Sequence, residues 1–156
     1  MRRAGLNVTT VGVKDIFITG SHNMTIKADI LIDDINKDDM ELLMLPGGPG
    51  HTALVENQNV QSLIDYAAKN DLYLAAICAS PSVLGRKGLL DGKVATCFPG
   101  FEEYLTGAVL SDEKAVRDGK IITARGAGAA ADFGFLIVET LLDKNTAAEL
   151  KGVMQY

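Results

Sequence analysis

The stretch from Leu72 to Gly85, Leu-Tyr-Leu-Ala-Ala-Ile-Cys-Ala-Ser-Pro-Ser-Val-Leu-Gly, restricts the possible folds more than any other. Leu72–Ile77 is a short, nearly unbroken apolar run, the pattern of a strand covered on both faces in a parallel sheet. Ser80-Pro81 then opens a helix. Serine is a favoured N-cap, and proline at the first helical position gives up only an N–H that has no partner there. Cys78 falls in the tight turn between strand and helix. Such an elbow lifts its central side chain above the sheet and needs small residues two positions to either side, a need that Ala76 and Ser80 meet. The amide dipoles that begin the following helix favour a thiolate, the reactive form of cysteine. On this stretch alone two readings stand: a nucleophile on an elbow, or a small buried cysteine filling a core gap.

The flanking segments alternate between strand and helix patterns. Met1–Ala4 followed by Gly5 reads as the last turn of a helix with its glycine stop, which suggests a chain starting late relative to a complete fold. Leu6–Val13 has β-branched alternation, and Ile16–Thr19 and Met24–Ala28 are short extended pieces about the turn 20–23. Ile30–Ile35 reads as either a covering segment or a connector. Leu42–Leu45 is a buried strand cut off by Pro46-Gly47-Gly48-Pro49-Gly50. Residues 57–69 put Val60, Leu63, Ile64 and Ala67 on one helical face. Lys93–Thr96 is a short strand, Phe101–Leu105 a short helix, and Asp118-Gly119 the turn of a hairpin over 115–123. A long apolar helix runs from Ala130 to Leu142, and a last one over 146–153 is capped by Asn145. This alternation predicts an α/β sandwich with a mostly parallel sheet, one domain spanning 1–156.

With 156 residues, 47% of them hydrophobic, the chain can fill one sizeable core. A net charge of -5 and a pI near 4.9 argue against nucleic acid or an anionic membrane surface as partner. Two cysteines do not make a disulfide scaffold. With no signal-like N-terminus, the expected compartment is the cytoplasm. No apolar run reaches the roughly 18 residues that a membrane helix needs.

Ligands of parallel sheets sit beyond the C-terminal strand ends. Three turns converge there: Pro46-Gly47-Gly48, Ile77-Cys78-Ala79 and Ala124-Arg125-Gly126. Gly47 and Gly48 let backbone N–H groups approach a ligand closely, and with the N–H of Ala79 they are candidates for an oxyanion hole beside the Cys78 sulfur. His51 lies either at the mouth of that site or on the surface, the surface being the preferred reading. Arg125 either holds an anionic group or braces its turn through a buried ion pair, and bracing is preferred.

Taken together, Leu45-Pro46-Gly47-Gly48, Ala75-Ala76-Ile77-Cys78-Ala79-Ser80-Pro81 and Thr123-Ala124-Arg125-Gly126-Ala127-Gly128 resemble, in order and spacing, the ThiJ/PfpI superfamily. The branch they are most similar to is that of the Parkinson-associated protein deglycase and bacterial ThiJ-type relatives. Arg2-Arg3-Ala4-Gly5, Gly20-Ser21-His22 and Pro99-Gly100-Phe101-Glu102 look like the same branch, so the resemblance runs the whole length. It implies a flavodoxin-like three-layer sandwich, a homodimer, Cys78 as nucleophile, and Gly48 and Ala79 as backbone donors to an oxyanion. It also implies action on methylglyoxal, glyoxal or their early adducts with proteins and amino acids, with no metal and no organic cofactor. That is a glyoxalase- or deglycase-type hydro-lyase or hydrolase. The alternative it carries is an oxidation sensor or chaperone-like protein working through the same cysteine. His22 sits in a turn that, in relatives, reaches toward the partner subunit's site.

The departures from that pattern set further expectations. Family members begin with a strand and a helix bearing a glutamate beside the cysteine, and the match here starts after both. On that reading an acid/base group is missing, catalysis is weakened, and a centrally placed strand is absent, leaving unpaired edges or a gap. Glu102 and Glu103 read as a solvated face instead. Several relatives have a histidine near the cysteine; at Thr96-Cys97-Phe98-Pro99 it is replaced by Cys97 or Phe98. Cys97 is a bystander or a redox partner of Cys78, and bystander is preferred. Ala127 stands where proline is common. Ala79 stands where the PfpI protease branch has histidine, which removes the Cys–His pair of a peptidase. A glutamine amidotransferase would need a downstream histidine, and none follows His51.

Overall fold

The computed structural model describes residues 1–156. Its strands are β1 (Val11–Gly12), β2 (Phe17–Thr19), β3 (Thr25–Lys27), β4 (Ile30–Leu31), β5 (Leu42–Leu45), β6 (Tyr73–Ile77), β7 (Val94–Ala95), β8 (Val109–Leu110), β9 (Ala115–Asp118) and β10 (Ile121–Ala124). Its α-helices are α1 (His51–Glu56), α2 (Gln58–Lys69), α3 (Pro81–Gly85), α4 (Ala130–Leu141) and α5 (Lys144–Val153).

The central sheet has the order β5-β6-β10-β9, with β5, β6 and β10 parallel and β9 antiparallel at one edge. Leu45 lies opposite Ala76, and Ala124 opposite Ile77, so the three parallel strands end at the same level. The turns after Leu45, Ile77 and Ala124 therefore emerge side by side. Period-two alternation along each strand feeds two helical layers. Leu43, Leu45, Leu74, Ala76 and Ile121 face a cluster completed by Leu63 and Ile64 of α2 and Val83 and Leu84 of α3. Leu42, Met44, Ala75, Ile122 and Ala124 face Phe133 and Ile137 of α4. The other side of α4 buries Phe135 and Val138 against Ala147 and Leu150 of α5. Each fully buried leucine, isoleucine, valine or phenylalanine among these stabilises the fold by about 1.5–3 kcal/mol relative to its exposed state. The three-layer α/β sandwich expected from the sequence is the observed architecture.

Several boundaries differ from expectation, each for a local reason. The strand expected over Leu6–Val13 contracts to β1, which pairs in parallel with β4. At its start the Asp29 carboxylate accepts from both the N–H and the hydroxyl of Thr10, each at 2.7 Å, where a ladder partner would otherwise sit. Ile30–Ile35, left open by its pattern, is β4 followed by a 3₁₀ turn. α5 begins at Lys144, and its cap is Asp143 rather than Asn145: one carboxylate oxygen accepts from the Thr146 N–H at 2.8 Å and the other from its hydroxyl at 2.9 Å. The short helix expected at Phe101–Leu105 is a 3₁₀ turn over Glu102–Tyr104. α1 and β8 were not anticipated, since α1 buries one side chain, Leu54, and so shows no periodicity. β5 is hydrogen-bonded on one side only, and β1–β4 stands as a separate ladder.

Candidate active site

β6 delivers Cys78 to the top of the sheet, and the elbow is held at both of its peptide groups. The Cys78 N–H donates to the Ala124 carbonyl at 2.9 Å, and its carbonyl accepts from Phe98 N–H at 2.8 Å. Cys78 itself has φ +67, a left-handed conformation that a non-glycine residue adopts at a cost of about 1–2 kcal/mol. α3 begins at Pro81 directly behind it, as the Ser-Pro pair predicts.

Ser80 departs from its expected role. It occupies the N-cap position, but its hydroxyl donates to the Pro46 carbonyl instead of capping the helix. That bond ties the elbow to the Pro46-Gly47-Gly48 turn across 34 residues of sequence. Gly47 shows how close the two turns are. A Cβ there would collide with Cys78 Cβ, lie 2.8 Å from the Ile77 carbonyl oxygen and 3.2 Å from Cys78 Sγ. Only glycine fits. Gly48, at φ +80, turns the chain so that its own N–H and that of Ala79 donate to no acceptor within the chain. Both amides are left without a partner on the two turns that meet at Cys78.

His51, at the start of α1, is half-buried rather than on the surface. Its Nδ1 lies 3.0 Å from the Gly48 carbonyl oxygen, and its ring meets Phe101 edge-on at 5.1 Å between centroids. A carbonyl only accepts, so Nδ1 donates in this contact. The Phe101 N–H donates to the Phe98 carbonyl at 3.1 Å, which closes a ring of contacts back to Cys78.

The DJ-1/PfpI family model matches residues 1–140. The chain belongs to the DJ-1/PfpI family. It is 37% identical to Protein DJ-1 homolog B of Arabidopsis thaliana over 156 residues, covering 97% of this chain and 36% of that protein. It is 30% identical to the glutathione-independent glyoxalase DJR-1.2 of Caenorhabditis elegans, covering 89% of this chain and 75% of that protein. The crystal structure of Drosophila melanogaster DJ-1beta superposes with a TM-score of 0.91 at 32% identity, over 99% of this chain and 85% of that one. The chain thus spans about a third of the length of the Arabidopsis relative and most of the fly protein.

The remaining candidate residues of this DJ-1/PfpI chain lie around the elbow or away from it. Of the pair weighed at the Thr96–Pro99 stretch, Cys97 points into the core, and Phe98 stands beside the elbow. Burial, reinforced by the negative charge of Glu102, pushes the Cys97 thiol up to about 11. Glu102 and Glu103 are both exposed, and a Glu102 carboxylate oxygen accepts from the Gly100 N–H at 2.7 Å. Arg125 is exposed and donates to the Asp112 carbonyl at 3.1 Å, so it braces its turn through a backbone oxygen, not through the buried ion pair expected. His22 is exposed in the β2–β3 turn, its Nδ1 3.2 Å from the Ser21 hydroxyl. No group of His, Cys, Asp and Glu side chains is arranged to hold a metal ion. A cavity of about 320 Å³ lies elsewhere, between α4 and the segment before β9. It contains no nucleophile.

The sequence singled out the cysteine, the glycine turn and the Ala79 amide. It missed Ser80 as the tie between turns and Phe101 as the partner of His51. An Asx/Ser residue before proline signals a cap, and nothing local reports an acceptor 34 residues away.

Proposed function

We propose that this chain acts on reactive α-oxoaldehydes through Cys78, converting methylglyoxal to lactate without a cofactor, in a glyoxalase- or deglycase-type reaction. The observation that carries this is the pair of free amides, Gly48 and Ala79, beside a half-exposed cysteine on a strained elbow. The Caenorhabditis elegans relative named as a glutathione-independent glyoxalase supports the same reading. The thiolate adds to the aldehyde carbon, and the resulting oxyanion is held by the two N–H groups. The aldehyde hydrogen then moves, as a proton, to the neighbouring carbonyl carbon, which turns the hemithioacetal into a lactoyl thioester. Water cleaves the thioester and releases lactate and the thiol. No side chain hydrogen-bonds the Cys78 sulfur, so water carries the proton and turnover is slow.

The protein works as a homodimer of small-molecule specificity. Its candidate contact is the β2–β3 hairpin, which exposes Phe17 (58%), Met24 (73%) and Ile26 (61%) on one small two-stranded element.

Lactate formed from methylglyoxal by this chain, and none by Cys78→Ala, is the expected result. Equal lactate from both proteins overturns the assignment. The unaided sulfur also favours a second reading, stoichiometric oxidation of Cys78 to a sulfinate held by the same amides, with no turnover. Peptide mass after mild peroxide, with Cys78 modified in proportion to dose and no lactate formed, selects it.

A further inference from the structure

We propose that Ser80 is a positioning residue, whose hydroxyl sets the Gly48 and Ala79 amides relative to one another so that both can hold an anion formed at Cys78. The inference rests on the reading of those amides as the oxyanion donors and adds the side chain that aligns them. Beyond the level where Leu45 pairs with Ala76, the bond from the Ser80 hydroxyl to the Pro46 carbonyl is the one hydrogen bond between the glycine turn and the elbow. Each of its ends stands next to a free amide. Ser80 directly follows Ala79, and the Pro46 carbonyl belongs to the peptide group just before the one that carries the Gly48 N–H.

Each turn is fixed by itself. His51 donates to the Gly48 carbonyl twice, from Nδ1 at 3.0 Å and from its N–H at 3.1 Å. Ser82 does the same for the Ala79 carbonyl, from its hydroxyl at 2.6 Å and its N–H at 3.1 Å. What relates one turn to the other is the Ser80 bond and the close approach of Gly47 to Cys78. That approach is a contact between single atoms, which attracts weakly, whereas a hydroxyl–carbonyl bond is directional. Ser80 is available for it because α3 does not need its cap. Pro81 has no N–H, the Ser82 N–H is taken by Ala79, and the Val83 N–H donates to the Ser80 carbonyl at 2.9 Å. Loss of the hydroxyl therefore shifts one donor against the other without unmaking either turn.

Ser82→Ala is the matched control, since it also removes a buried serine hydroxyl but no bond between the turns. With methylglyoxal, kcat is expected to fall about 10- to 100-fold in Ser80→Ala with KM changed less than about twofold. It should recover in Ser80→Thr, which keeps the hydroxyl, and change little in Ser82→Ala. A second readout needs no turnover. Mild peroxide converts the Cys78 thiolate to a sulfinate, two peroxides each giving up one oxygen atom and leaving as water. Held by both amides, that anion should raise Tm by about 3–12 °C over the reduced form in the native chain and in Ser82→Ala, and by less than half as much in Ser80→Ala. Equal losses in Ser80→Ala and Ser82→Ala overturn the proposal, as does a Ser80→Ala chain with native kcat and the full gain on oxidation. A native chain that gains Tm on oxidation but makes no lactate refutes the carbonyl reading, and the Tm differences then decide the role of Ser80. A native chain that does neither refutes the donor pair, and this proposal with it.

Discussion

Three glycines in one turn, Gly47, Gly48 and Gly50, should answer the same substitution in three different ways. At Gly47, an alanine Cβ would sit 2.8 Å from the Ile77 carbonyl oxygen, against an ordinary contact of 3.4 Å or more, and closer still to Cys78 Cβ. The turn and the elbow must therefore part by more than half an ångström, against the Ser80 bond that holds them together. Overpacking of this kind costs about 1–3 kcal/mol, and in a chain of this size each kcal/mol lowers Tm by about 2–4 °C. Gly47→Ala should thus lose about 2–12 °C. It should also change the Cys78 alkylation rate, because Sγ lies 3.2 Å from the new methyl. At Gly48 nothing lies within 4 Å, and the cost is the left-handed backbone at φ +80 alone, about 1–2 kcal/mol. Gly50 has φ -62 with open space around it, so Gly50→Ala should be neutral or stabilise by up to about 1 kcal/mol. Thermal unfolding followed by circular dichroism, with iodoacetamide kinetics at neutral pH, reads all three. If Gly47→Ala melts and alkylates like Gly50→Ala, the close approach of turn and elbow is wrong.

Ser80→Ala removes a fully buried hydroxyl whose bond ties the two turns, but Pro46 is exposed and water can take the donor's place at its carbonyl, so chemical denaturation should show a loss of about 0.5–1.5 kcal/mol. Cys97 should stay unmodified by iodoacetamide at pH 8 in the folded chain and react fully once the chain is unfolded, because burial keeps its thiol neutral up to about 11. Since the folded state holds that proton more tightly than the unfolded one, whose ordinary value is 9.0, this thiol costs the fold nothing below about pH 9 and erodes its stability between about 9 and 11; Cys97→Ala should remove that alkaline loss, seen as a flatter Tm against pH. The homodimer proposed above predicts that the chain sediments as a dimer and that replacing Phe17 and Ile26, both exposed in the single chain, together by aspartate gives a monomer; a native chain that sediments as a monomer refutes that proposal.

The strands and the elbow were readable because their signals are local. Leu42–Leu45 and Leu72–Ile77 carry uninterrupted apolar runs, and Ser80-Pro81 marks a helix start within two residues. The hairpin about Gly119 was readable for the same reason, its turn residues lying next to both strands. What the sequence withheld depends on partners far along the chain. Thr10 exchanges a ladder for the carboxylate of Asp29, Ser80 forgoes its cap for Pro46, and His51 finds Phe101 fifty residues on. Arg125 was expected to need a charged partner, but a turn rim offers carbonyls enough. The choice between Cys97 and Phe98 beside the nucleophile was undecidable by alignment of motifs, because a one-residue shift in an extended stretch exchanges the inward and outward side chains. Strand β7 ends just before that stretch, and the Thr96 N–H bond to the Thr123 hydroxyl at 2.9 Å holds the phase that sends Cys97 inward.

One consequence follows from the lone flank of β5. Leu42-Leu43-Met44-Leu45 offers a row of amides and carbonyls with no charge, no proline and no bulge to discourage company. Two molecules meeting along such margins could zip together while each is still folded. Heating a concentrated solution should therefore turn it cloudy at a lower temperature than a dilute one, ahead of the loss of tertiary structure.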